Sequence, residues 1–112
     1  MQILNQDKEF LLEAIDNYAL LPHSGRVLLK TLITLSIDEL IVTNIKELSR
    51  LAGISRPAVY ANLRRLEIQG MVERRNNDGS RISSFILKPM NFYPIIKHYE
   101  VRKDILSLNK KS

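Results

Sequence analysis

The sequence predicts a mainly α-helical chain with one small β-hairpin, an α+β protein folded as a single domain over residues 1–112. Three observations predict it. Apolar residues recur at helical spacing through most of residues 7–69 and again over 95–108. After Gly70 the period drops to two, over Met71–Arg75 and Arg81–Leu87, on either side of the turn-forming run Asn76-Asn77-Asp78-Gly79-Ser80. A length of 112 residues with 45% hydrophobic content supports one buried core and leaves no room for a second domain with its own cofactor fold.

The elements follow in order. Asp7 to Leu20 places Phe10, Leu11, Ala14, Ile15, Tyr18 and Ala19 on one helical face, with Asp7 as a candidate cap. Leu21-Pro22-His23-Ser24-Gly25 breaks that helix. Arg26 to Ile37 is apolar nearly all round, which marks a central, buried helix. Ile41-Val42-Thr43 is short and β-branched and reads as a brief strand.

Asn44 or Thr43 then caps a helix from Ile45 to Ala52, with Ile45, Leu48, Leu51 and Ala52 inward, and Gly53 ends it as a left-handed residue. Ser55 caps the next helix, with Pro57 in its first turn, where a missing N–H costs nothing. This helix runs to about Gln69 and buries Val59, Leu63 and Leu66; Asn62 borders the buried face and reads as structural. Beyond the hairpin, Pro89 and Pro94 interrupt the chain. Ile95 to Leu108 forms a last amphipathic helix with Ile95, Ile96, Tyr99, Val101, Ile105, Leu106 and Leu108.

Charge is distributed unevenly. Seventeen Lys and Arg against twelve Asp and Glu give a net charge of +5. Residues 1–52 carry a net −2 and residues 53–112 a net +7. Six arginines (Arg56, Arg64, Arg65, Arg74, Arg75 and Arg81) fall within 26 residues with no lysine among them. Arginine presents a planar fork suited to phosphates and guanine edges, so this enrichment favours an anionic partner.

Other chemistry is poorly supplied. Without cysteine there is no disulfide, thiolate nucleophile, cysteine zinc site or thiol redox sensor. His23 and His98 stand 75 positions apart, with no metal-ligand spacing, and read as surface histidines. No phosphate loop, nucleophile elbow or paired-acid motif occurs, so no enzyme, cofactor or metal is expected. No apolar run reaches the ~18 residues of a membrane span, and the N-terminus lacks the order of a signal peptide, so the expected setting is cytoplasmic.

The run from Ile45 to Val72 brings these features together. It holds a helix, the turn Gly53-Ile54-Ser55, and a helix with Val59 and Leu63 inward. Leu66-Glu67-Ile68-Gln69-Gly70-Met71-Val72 then leads into a strand. With the following hairpin it resembles the winged helix-turn-helix of prokaryotic regulators, including the MarR-like group, over about residues 26–88. The physics of each position agrees: Gly53 permits the sharp turn, and Ile54 can plug the crevice between the helices. Leu48, Val59 and Leu63 hold the second helix across the first.

The resemblance implies binding of double-stranded DNA as a transcriptional regulator, with helix 55–69 in the major groove. The face it presents carries Ser55, Arg56, Pro57, Tyr60, Ala61 and Arg64, with Arg65 beside them; Arg56 is the first candidate for reading a guanine. Ser55 serves first as an N-cap, and Arg64 and Arg65 have Glu67 and Glu73 as alternative ion-pair partners. The wing, with Arg74, Arg75 and Arg81 around 74–81, would lie on the backbone or in the minor groove. In such regulators terminal helices pack across a two-fold axis, so segments 1–22 and 90–108 are expected to form a homodimer. The alternative is that both helices fold back on their own chain. A plasmid replication or maintenance factor and a protein–protein adaptor remain alternative functions, but an adaptor would show acidic or apolar residues where this helix carries arginine, serine and tyrosine. Nothing in the sequence identifies a small-molecule effector site.

Overall fold

The computed structural model describes residues 8–75 and 83–110. Among these residues the order is α1 (Lys8–Asp16), α2 (His23–Leu35), β1 (Leu40–Thr43), α3 (Ile45–Ala52), α4 (Arg56–Ile68), β2 (Val72–Arg74), β3 (Ser83–Leu87), a 3-10 turn (Pro89–Phe92) and α5 (Tyr93–Lys110). The mainly α chain with a small antiparallel sheet matches the expected class.

The expected central helix is α2. Leu28, Leu29, Leu32 and Ile33 are fully buried, and the helix packs against α1, α3 and α4. It starts at His23, three residues earlier than periodicity suggested. Pro22 sits before it at φ −65°, a conformation the ring fixes and a helix entry accepts. It ends at Leu35, where the backbone N–H and the hydroxyl of Ser36 both donate to the Ile33 carbonyl.

α1 stops at Asp16 rather than Leu20. Asn17 Nδ2 donates to Glu13 O at 2.9 Å, and Asn17 N is shared between the carbonyls of Glu13 and Ala14, which tightens the last turn. Tyr18 and Leu21 remain buried while Ala19 and Leu20 face solvent. The candidate cap Asp7 lies outside the described residues.

Between α2 and β1 the chain reverses over Ile37-Asp38-Glu39-Leu40. Ile37 N donates to Leu40 O at 2.9 Å and Leu40 N to Ile37 O at 3.0 Å. Asp38 and Glu39 have φ of 50° and 71°, the left-handed pair of a type I′ turn usually filled by Asn-Gly. Only the strand after it was anticipated.

The sheet order is β1-β3-β2, antiparallel throughout. Leu40 stands opposite Ile86 and Thr43 opposite Ser83; across the hairpin Val72 faces Leu87 and Arg74 faces Phe85. Ile41, Thr43, Phe85 and Leu87 point into the core, whereas Leu40 and Val42 face outward. The two strands of the predicted hairpin are therefore present. Its tip, with Asp78, Gly79 and Arg81, lies outside the described residues.

Three expectations need correction. α5 begins at Tyr93, so Pro94 occupies its first turn and does not interrupt it. Leu51 is not inward: it is 44% exposed, because Leu48 alone of α3 reaches the core fully. His98 is not a surface histidine. It is half-buried, with its ring edge-on to Tyr18 at 5.5 Å, and among the described residues its buried Nδ1 has no hydrogen-bond partner.

α1 and α5 meet through aromatic contacts. Phe10 packs edge-on against Tyr99 with centroids 5.4 Å apart. Hydrogen bonding toward the Glu13 carboxylate, then burial and that carboxylate's charge, push the Tyr99 pKa above the usual 10.0. Leu11, Ala14 and Ile15 of α1 are buried within the single chain. α5 departs from the body after Tyr99: every residue from Glu100 to Leu106 is exposed, including Val101, Ile105 and Leu106. Among the described residues no helix is long and apolar enough to cross a membrane.

Candidate nucleic-acid interface

The interface is built from α3, the turn after it, α4 and the base of the wing. Asn44, not Thr43, caps α3: its Oδ1 accepts from Glu47 N at 2.7 Å. Thr43 supports it by donating from Oγ1 to Glu47 Oε1 at 2.6 Å. Gly53 then adopts φ 71°, as expected of a left-handed cap.

Ser49 closes the turn. Its carbonyl accepts from Gly53 N at 3.0 Å and from Ile54 N at 3.2 Å, while its hydroxyl donates to the Ile54 carbonyl. Ile54 is half-buried and packs against the core. Sequence reasoning missed Ser49, since a serine inside a helix carries no periodic signal. It also missed Asn91, whose Nδ2 donates to Gly70 O at 2.6 Å and ties the 3-10 turn to the end of α4.

Ser55 is the N-cap of α4, with its hydroxyl accepting from Ala58 N at 3.2 Å. Its side chain is therefore already engaged in the helix start. Along α4 the buried residues are Val59, Asn62, Leu63 and Leu66. Ser55, Arg56, Pro57, Tyr60, Ala61, Arg64 and Arg65 are all exposed, so the predicted recognition set lies on the solvent side. Arg56, Tyr60 and Arg64 follow at intervals of four and form one stripe.

The wing base joins this stripe. Tyr60, Ala61, Arg64 and Glu67 of α4 line an open groove of about 380 Å³ with Arg74 of β2. Arg74 also extends over Phe85, with its guanidinium carbon 5.8 Å from the ring centroid. Arg75 pairs with Glu73. Glu73, considered as a partner for Arg64 or Arg65, is thus taken by its neighbour. Among the described residues no ion pair engages Arg56, Arg64 or Arg65. Arg81 lies outside the described residues. Among them, too, no group of three or more His, Cys, Asp and Glu could hold a metal ion.

Comparison with known proteins agrees with this architecture. The family model described as "Sugar-specific transcriptional regulator TrmB" matches residues 33–98, from the end of α2 through the wing into α5. Among solved structures, the chain is similar to a mutant MarR from E. coli complexed with operator DNA, at 21% identity and a TM-score of 0.50. That match covers 88% of this chain and 66% of the MarR chain. It is also similar to a MarR-family transcriptional regulator from Silicibacter pomeroyi, at 18% identity and a TM-score of 0.53, covering 99% of this chain and 84% of that one. At these identities the two structures speak to the fold, a winged helix-turn-helix. No protein of curated function matches significantly. The family is one of transcriptional regulators rather than enzymes, and since its model spans more than half of the sequence, the chain belongs to the TrmB family.

Proposed function

We propose that this chain binds double-stranded DNA sequence-specifically through α4, set in the major groove, while the wing rests on the backbone or in the minor groove. The observation that carries this reading is the exposed stripe Arg56–Tyr60–Arg64 running into Arg74, with no ion pair engaging Arg56 or Arg64 among the described residues. Glu67 at the end of the groove is its acidic exception. Arg56 stands at the amino end of α4, where a recognition helix addresses base edges, and its fork matches guanine O6 and N7. Pro57 and Tyr60 offer apolar and aromatic contact beside it. Arg65, Arg74, Arg75 and Arg81 serve the phosphates, and Ser55 contributes mainly by holding the helix start. The regulator reading places the protein in the cytoplasm.

The free half of α5 supports a homodimer. Val101, Ile105 and Leu106 are 45–53% exposed on a helix that has left the body of the chain. Such a stretch is covered when a second copy packs against it, which doubles the phosphate contacts and yields two-fold related half-sites.

Selection from random duplex DNA, followed by a salt titration of the winners, tests both parts. A two-fold symmetric motif bound with steep salt dependence is the expected outcome. Binding without sequence preference would remove α4 as a base reader. In the same assay Arg56→Ala is expected to relax preference at one position; equal loss on all sequences would make Arg56 a phosphate contact.

A further inference from the structure

The recognition helix carries one buried polar side chain, and it faces away from the proposed DNA surface. Asn62 is 5% exposed. Its Nδ2 donates to Ser24 Oγ at 3.0 Å and to Ala58 O at 2.8 Å, so both amide protons are used. Ser24 lies in the first turn of α2, and Ala58 is the residue whose N–H Ser55 caps. The neighbouring Gly25 is also buried, and a Cβ placed on it would stand 3.1 Å from Asn62 Oδ1, tighter than ordinary packing. A glycine on α2 therefore admits an asparagine on α4, and the hydrogen bond from Asn62 to Ser24 pins the two helices.

From this we infer that Asn62 is a positioning residue for DNA reading: it fixes the crossing of α4 on α2 and so the placement of Arg56 and Tyr60. The inference rests on the proposed role of α4 and adds to it. Apolar contacts alone hold two helices together at many nearly equal offsets, whereas a directional bond in a low-dielectric interior selects one. A base-reading fork tolerates only about 0.5 Å and 10–20° of misplacement. Losing the tie should thus impair discrimination more than general affinity.

The test uses the full chain, which has no native cysteine, so a Thr34→Cys, Ile68→Cys pair accepts two spin labels on exposed sites of α2 and α4. In that background Asn62→Leu, close in volume, is expected to broaden or shift the interlabel distance distribution. On DNA, Asn62→Leu is expected to lower the ratio of best-site to random-sequence affinity by about tenfold. Its binding to random duplex and its salt slope should stay within about twofold. Ser24→Ala should act in the same direction and Ser24→Thr should restore the wild-type behaviour, which guards against a variant that fails to fold. An unchanged distance distribution overturns the lock. A broadened distribution with an unchanged ratio overturns its role in reading. If the wild-type chain has no preferred sequence, the reading of α4 itself fails, and the distance measurement alone still decides whether Asn62 fixes the helix.

Discussion

The carbonyl of Glu39 accepts a hydrogen bond from Leu87 N at 2.9 Å, and Glu39 makes this contact from left-handed backbone, φ 71°. A turn residue strained by its own Cβ thus extends the β1–β3 ladder to the foot of the wing. The left-handed region costs a non-glycine residue about 1–2 kcal/mol. Part of that is recovered when glycine replaces it, less the entropy glycine loses on folding. Glu39→Gly is expected to stabilise the chain by about 0.5–1 kcal/mol in urea unfolding. Glu39→Val should destabilise it. A destabilised glycine variant would show that the Glu39 side chain makes a contribution larger than the backbone strain.

The corner between α3 and α4 has the same backbone geometry but a different limit. Around Gly53 nothing lies within 4 Å of an added Cβ, so space is not the constraint. With φ at 71° the backbone is, and Gly53→Ala should cost about 1 kcal/mol, with Gly53→Asn costing less. Thermal unfolding of the two variants checks this; equal, negligible effects would mean that the corner relaxes freely.

Ser55 separates folding from binding. Removing its cap in Ser55→Ala should lower stability by about 1 kcal/mol, whereas Ser55→Gly should cost only a few tenths. If the hydroxyl acts only as a cap, DNA affinity of the folded protein stays the same in both variants. An equal loss of affinity for every sequence in both, with the salt slope unchanged because an uncharged donor displaces no counterion, would instead show that the Ser55 hydroxyl holds a phosphate.

The Tyr99–Glu13 bond gives an alkaline limit to the packing of α5 on α1. Because the folded-state pKa of Tyr99 is raised above 10.0 by that bond, the contribution is present in full below pH 10. It fades as pH rises from 10 through the folded pKa. Denaturant midpoints of the wild type should therefore fall more steeply between pH 9 and 11 than those of Tyr99→Phe. Parallel curves would show that the hydroxyl makes no such bond in solution.

The exposed end of α5 yields a mass prediction. Light scattering is expected to give twice 12.9 kDa for the wild type and 12.9 kDa for Ile105→Glu, since burying an unpaired carboxylate opposes association. A wild-type mass of 12.9 kDa at every concentration would remove the dimer.

Much of this was legible in the sequence because the decisive signals were local. Gly53, Ser55 and Pro57 mark a turn and a helix start by their own backbone chemistry, and the structure places all three as expected. The apolar period of Val59, Leu63 and Leu66 likewise told which face of α4 is exposed, and with it the positions of Arg56, Tyr60 and Arg64. What escaped depends on tertiary context. Nothing local says that Asp38 and Glu39 form a left-handed turn, since neither is glycine or asparagine. The end of α1 is set by the Asn17 side chain, and Tyr18, inward as its spacing suggested, lies beyond that end against the His98 ring of α5. Periodicity also brought Leu51 inward, because it cannot tell a core face from a flank that no neighbouring element covers.

The sheet has a kinetic consequence. β1 enters before the helix-turn-helix and β3 leaves after it, so Thr43 and Ser83, paired across the ladder, are about forty positions apart in the chain. The helices are built from near neighbours and can form within microseconds, but this clasp requires closing a long loop before any ladder bond compensates the entropy. Closure of β1 on β3 should therefore limit the folding rate, and α3 and α4, lying inside the loop, acquire their final alignment when its two ends meet.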